Sequence, residues 1–128
     1  GLRGYASICY QHVRNSFDSL LTNSPEAVFK CGLAVPISSY FSVSMDALYE
    51  TSRLTTKDDN TSQAITTEPF MLVNLTMNTV PLWNGISFSA QVRNVLNTSY
   101  SYPGGIEHTG PAIQQDKRNF WLSVSLGI

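Results

Sequence analysis

A chain of 128 residues holds one domain's worth of structure at most. Its net charge of −1 offers no basic surface to nucleic acid, and no stretch approaches the ~18 consecutive apolar residues of a membrane-crossing helix. Charged residues make up 13% of the chain, about half the ~25% typical of soluble domains, while the 42% hydrophobic content is ordinary and can line a core or a lipid belt.

The chain starts Gly1-Leu2-Arg3-Gly4-Tyr5, with neither an initiator Met nor the apolar centre of a signal peptide, so a processed chain or a piece of a longer one is expected. Residues 2–14 alternate Leu2, Gly4, Ala6, Ile8 and Tyr10 with Arg3, Tyr5, Ser7, Cys9 and Gln11, which predicts a strand. Polar, turn-rich residues 15–27 follow as a loop. A second strand is expected over 28–35, with Phe29, Cys31, Leu33 and Val35 on one face. After a short turn at 36–40, a third over 41–51 sets Phe41, Val43, Met45, Ala47 and Tyr49 against Ser42, Ser44, Asp46, Leu48 and Glu50. Residues 52–69 read as a long polar loop.

The strongest pattern is a hairpin over 70–80 and 85–96. Met71, Val73, Leu75 and Met77 oppose Leu72, Asn74, Thr76 and Asn78; Ile86, Phe88, Ala90 and Val92 oppose Ser87, Ser89, Gln91 and Arg93. Each arm is about ten residues, or roughly 30 Å at ~3.4 Å per residue. That exceeds the usual ~5–6 residues of a strand and matches the ~9–11 of a tilted strand crossing a bilayer. Residues 97–117 form the longest loop, and 118–128 the last strand, with Phe120, Leu122, Val124, Leu126 and Ile128 on one face.

Long and short connections alternate, as in outer-membrane barrels. Arg3, Lys30, Asp46, Glu50 and Arg93 all fall on the polar face, while Arg14 and Arg118 lie at the long-loop rim. A basic residue on a lipid face costs ~2–4 kcal/mol at mid-bilayer, and this distribution avoids that cost. Aromatics sit near strand ends, Phe41 and Trp83 at the short-turn end and Tyr10, Tyr49, Phe70 and Phe120 at the other, as two interface girdles would. The fold expected is therefore all-β: six long antiparallel strands, the C-terminal portion of a transmembrane β-barrel. Parity alone leaves a soluble alternative open, a lipocalin-like or sandwich binding module with the apolar face as its core. Six strands do not close a bacterial barrel, where ~8 is the minimum, so partner strands are expected outside this chain.

Several stretches resemble the C-terminal part of TonB-dependent outer-membrane receptors. They are Leu21-Thr22-Asn23-Ser24-Pro25-Glu26 before a strand; Val73-Asn74-Leu75-Thr76 with Pro81-Leu82 and Gly85; and Val92-Arg93-Asn94-Val95-Leu96-Asn97 with Tyr100 and Pro103. The last are Pro103-Gly104-Gly105-Ile106-Glu107-His108 and Ile113-Gln114-Gln115-Asp116 with Arg118 and Phe120. The ordered set covers essentially the whole chain. Lys117 stands where Gly is common in that family, and Ile128 where an aromatic is usual. The resemblance implies residues 1–128 as the end of a ~22-stranded barrel in the bacterial outer membrane, filled by a plug domain. It also implies uptake of a small molecule or metal chelate, such as a ferric siderophore or cobalamin, energised by the TonB complex. The implied partners are the lipid bilayer, the remaining strands and plug, and TonB through the missing N-terminal part. A porin or adhesin fragment is the other membrane reading.

Ligand-contact candidates follow from length and position. Loops 52–69 and 97–117 are the long ones on one side, and the second holds Tyr100, Tyr102, Glu107 and His108. His108 beside Glu107 could touch a ligand or metal, though a pair without further ligands is plainly read as a loop contact. Arg93, on the polar face, could guide an anionic chelate or pair with the plug or with Glu50. His12 reads as a solvated rim residue. Asp58-Asp59-Asn60 lacks the rest of a calcium loop. Asn60, Asn74 and Asn97 begin sequon triplets, with Asn74 mid-strand. Cys9 and Cys31 fall on opposite faces of neighbouring strands and are expected as free thiols. No nucleophile elbow, H-E-x-x-H or phosphate loop occurs, and no Cys/His cluster has metal spacing. No catalytic residue, metal or cofactor is therefore assigned.

Overall fold

The computed structural model describes residues 1–12, 23–57, 64–104 and 112–127. In chain order its strands are β1 (Arg3–Tyr10), β2 (Ala27–Pro36), β3 (Phe41–Glu50), β4 (Leu54–Lys57), β5 (Ala64–Thr66), β6 (Phe70–Thr79), β7 (Ile86–Arg93), β8 (Ser101–Pro103), β9 (Ala112–Gln114) and β10 (Asn119–Leu126). Six of them form one antiparallel sheet in the order β1-β2-β3-β6-β7-β10, leaving β1 and β10 as its edges. The chain is all-β, and among the described residues there is no α-helix. The pairs β4-β5 and β8-β9 are two small separate hairpins. These lie within 52–69 and 97–117, which alternation had marked only as loops. Runs of three or four residues are too short to display a period of two.

The strand ends have local causes. The first strand is described over Arg3–Tyr10, with Gln11 N still donating to Glu26 O at 2.8 Å and its Nε2 to Ser24 Oγ at 2.7 Å; residues 13 and 14 of the expected span lie outside the described residues. The seventh stops at Arg93 rather than 96. Asn94 adopts φ 51° there, and Asn97, at φ 57°, donates its N–H to Asn94 O at 2.8 Å. Asn tolerates the left-handed region better than other non-glycine residues. At the opposite end, Gly85 has φ 78°, and a side chain there would run into the Gly127 carbonyl, whose own N–H donates to Gly85 O at 3.0 Å. That contact ties the end of β10 to the short turn.

Register carries the apolar parity from strand to strand, with Thr79 the polar residue in the apolar rows and Leu48 and Leu72 paired on the opposite face. Ile8, Phe29, Tyr49 and Met71 lie side by side, as do Leu33, Met45, Leu75, Val92 and Phe120. A soluble domain buries such a face under a second layer. Here it is open: Ile8 is 75% exposed and Leu122 76%, and even Met45 and Leu75 on central strands are 48% and 41% exposed. Among the described residues the one buried hydrophobic side chain is Phe70, and it lies on the other face, in the polar row with Glu50. This corrects its expected place in an interface girdle: parity puts Met71, not Phe70, on the apolar side. Tyr10, Tyr49, Phe120 and Phe41 do sit exposed on the apolar face near strand ends. The side chain of Trp83 lies outside the described residues. Cys9 and Cys31 are free and face opposite ways, as their register positions require.

Candidate functional site

The polar face carries two connected groups near the long-loop end. The first is a clasp. Glu50, at the end of β3, is 4% exposed and accepts a charged hydrogen bond from Arg53 Nε. Arg53 also reaches Asn23 Oδ1 through Nη1 at 3.2 Å, and its guanidinium stacks 4.9 Å above the Tyr102 ring. Its backbone exchanges bonds with Thr67: Arg53 N donates to Thr67 Oγ1 at 3.1 Å and Thr67 N to Arg53 O at 2.8 Å. Phe70 packs at 4.6 Å from Tyr100 and 5.8 Å from Tyr102, ring centre to ring centre. Burial raises both tyrosine pKa values above the ordinary value. At Tyr102 the Glu50 charge adds to this and Arg53 opposes it; at Tyr100, Tyr102 and Asp116 add to it. The three long connections are thus held together over one face.

The second is a row of polar side chains across β3, β6, β7 and β10. Asn74 Nδ2 donates to Asp46 Oδ2 at 2.8 Å, while Asn74 Oδ1 accepts the Asn94 N–H at 3.0 Å. Gln91 Nε2 donates to Thr76 Oγ1 at 3.2 Å, and Gln91 Oε1 accepts from Arg93 Nε at 2.8 Å. Arg93 lies 4.9 Å over the Trp121 ring, whose Nε1 donates to Asn119 Oδ1 at 2.9 Å. Asn94 is 4% exposed and clamps the turn beyond, bonding Thr98 in both directions. Arg118 closes the same turn through Val95 O at 2.6 Å.

Above this row the loop folds back. Tyr100, Gln115, Asp116 and Lys117 roof a cleft of about 450 Å³ whose floor includes Asp46 and Arg93. That volume lies within the ~300–1,000 Å³ of small-molecule sites. The structure therefore brings together two of the expected contact residues, Arg93 and Tyr100. Tyr102 does not line the cleft but packs edge-on against Tyr100, ring centres 5.7 Å apart, in the clasp. Glu107 and His108 lie outside the described residues, as do Asp58, Asp59 and Asn60. The expected pairing of Arg93 with Glu50 does not occur, because Arg53, three residues on, is the nearer cation for Glu50. His12 approaches Glu26, Nδ1 to Oε1, at 3.5 Å.

Sequence reading passed over Asp46, Asn74 and Gln91 as lining residues, although all three sit on the polar parity of adjacent strands beside Arg93. It also passed over Arg53, whose signal is a carboxylate and a guanidinium three apart at a strand end. Among the described residues no three His, Cys, Asp or Glu side chains gather as for a metal, and no helix is long and apolar enough to cross a membrane, which says nothing about strands. The class these observations define is an all-β chain with an open six-stranded sheet and a roofed polar cleft. Comparison with protein-family models, with curated proteins and with solved structures finds no match.

Proposed function

We propose that the chain is the C-terminal wall of an outer-membrane β-barrel receptor of the TonB-dependent kind, taking up a small molecule from outside. The observation that carries this reading is the open apolar face of six strands opposite a polar face roofed by its own loop. Soluble monomers rarely expose so continuous an apolar surface, whereas lipid would cover it at no cost to hydrogen bonding. A lipocalin-like or sandwich module would need that face packed, and its central residues Met45 and Leu75 are nearly half exposed. The free edges of β1 and β10 fit the same reading, since unpaired backbone groups in lipid require neighbouring strands. The ordered motifs favour the receptor over a simple porin. On this account the sheet is a fixed wall, the cleft and long loops meet the substrate, and a plug outside this chain moves.

The two native thiols test the reading. Cys31 lies mid-strand on the apolar face, and Cys9 on the polar face near the long-loop rim. In outer membranes bearing the natural full-length protein with a single thiol left at either position, a membrane-impermeant charged thiol reagent modifies Cys9. It modifies Cys31 only after denaturation. Equal, rapid labelling of Cys31 in intact membranes would exclude a lipid-covered face.

A further inference from the structure

The two charged groups of the polar row, Asp46 and Arg93, are left open toward the cleft. Asn74 and Gln91 each already hold a partner on both oxygen and nitrogen, so these amides serve chiefly to aim Asp46 and Arg93. Asp46 keeps Oδ1 free. Arg93 spends one of its five N–H donors on Gln91 and keeps four. Among the described residues no cation lies within ion-pair distance of Asp46, and no carboxylate within it of Arg93. The loop roof repeats both signs with Asp116 and Lys117. One cleft therefore presents an acceptor of negative charge on β3 and a donor of positive charge on β7, with β6 between them. Two strand spacings put these poles on the order of 10 Å apart.

We propose that this cleft binds a zwitterionic ligand of about dipeptide length, its ammonium on Asp46 and its carboxylate on Arg93. An extended dipeptide spans ~7 Å between its charged ends. A hydrogen bond of ~2.8 Å at each end makes the reach ~13 Å, and the lean of the Arg93 guanidinium toward Trp121 on β10 widens the two-strand spacing in that direction. A guanidinium held by one Nε bond and stacked on Trp121 presents its terminal nitrogens as a fork, the geometry that grips a carboxylate twice. The balance of two carboxylates against two cations disfavours a multiply charged anionic chelate. A neutral saccharide would rely on amides that are already engaged. This inference rests on the receptor reading above and names the substrate class of its cleft.

The test uses the natural full-length protein in detergent, and a library of unmodified dipeptides with N-acetylated and C-amidated counterparts. Retention is read by mass spectrometry, and affinity by calorimetry for the best-retained member. Blocking either end weakens binding at least tenfold. Asp46→Asn abolishes the penalty for N-acetylation alone, and Arg93→Gln abolishes the penalty for C-amidation alone. A variant that merely misfolded would lose both responses together, and its gel mobility before and after boiling shows whether the barrel is intact. No dipeptide retained by a barrel that does shift on boiling, or equal retention of blocked and free forms, would overturn the peptide assignment while leaving the receptor reading standing. A protein that is soluble and unshifted would overturn the receptor reading itself.

Discussion

Three positions on one face of one strand distinguish a lipid-covered wall from a packed core. Met71, Leu75 and Thr79 all lie in the apolar rows of β6, which runs Phe70–Thr79. Ten residues at ~3.3 Å make a strand of roughly 33 Å, and a tilt of ~40° projects this to ~25 Å, the height of an apolar barrel band. In the proposed membrane wall Leu75 would sit near the bilayer midplane, with Met71 and Thr79 near the two interfaces. Arginine at Leu75 is expected to cost ~2–4 kcal/mol, and at Met71 or Thr79 only ~0–1 kcal/mol. The first corresponds to roughly a 30- to 700-fold change in the folding equilibrium. Thr76→Arg, on the polar face beside Leu75, should cost little. Guanidinium unfolding of the natural full-length protein in lipid vesicles reads each change as a shift in midpoint. Equal costs at the three apolar-face positions, or a Thr76→Arg cost matching that of Leu75→Arg, would refute the depth argument.

Other substitutions probe the clasp and the turns. Arg53→Ala strands the buried Glu50 carboxylate without its partner and should cost about 3–5 kcal/mol. Loop 97–117 should then be cut faster by protease, and Arg53→Lys should recover only part of the loss. Gly85→Ala places an L side chain at φ 78°, worth ~1–2 kcal/mol of strain, and drives a methyl into the Gly127 carbonyl. Amide exchange at the end of β10 should accelerate while β2 and β3 stay protected. Tyr100 and Tyr102 titrate above ordinary tyrosine in the folded protein because burial disfavours their phenolates. The stability they lend is therefore full below the unfolded tyrosine value and is lost as pH rises through the higher folded values. Ultraviolet titration should show two late-ionising phenols that become ordinary in Phe70→Ala.

Period-two alternation made the sheet legible because register, once set, carries parity across every neighbour. Met45, Leu75 and Val92 fall in one row because each strand keeps the same sense of in and out. Boundaries were less legible because Asn94 and Asn97 end β7 through backbone conformation, not hydropathy. The small hairpins β4-β5 and β8-β9 escaped for lack of length. Arg93 and Tyr100 were readable as site residues from face and loop position. The remainder of the cleft was not, because Asp46, Asn74 and Gln91 become neighbours only through pairings of strands whose residues are 15 to 28 apart in sequence. Phe70 shows the limit in the other direction: strand-end position alone reads it as a girdle residue, although the parity that puts Met71 on the apolar face puts Phe70 on the polar one, where Tyr100 and Tyr102 cover it.

The central claim, that this sheet is barrel wall in a membrane, is tested most directly by the state of the native polypeptide. An antibody raised to residues 97–117 is applied to membrane and soluble fractions, boiled and unboiled. The account predicts a membrane band several times larger than the 14.1 kDa of this chain, with different mobility before boiling. A soluble band near 14.1 kDa that ignores boiling would contradict it.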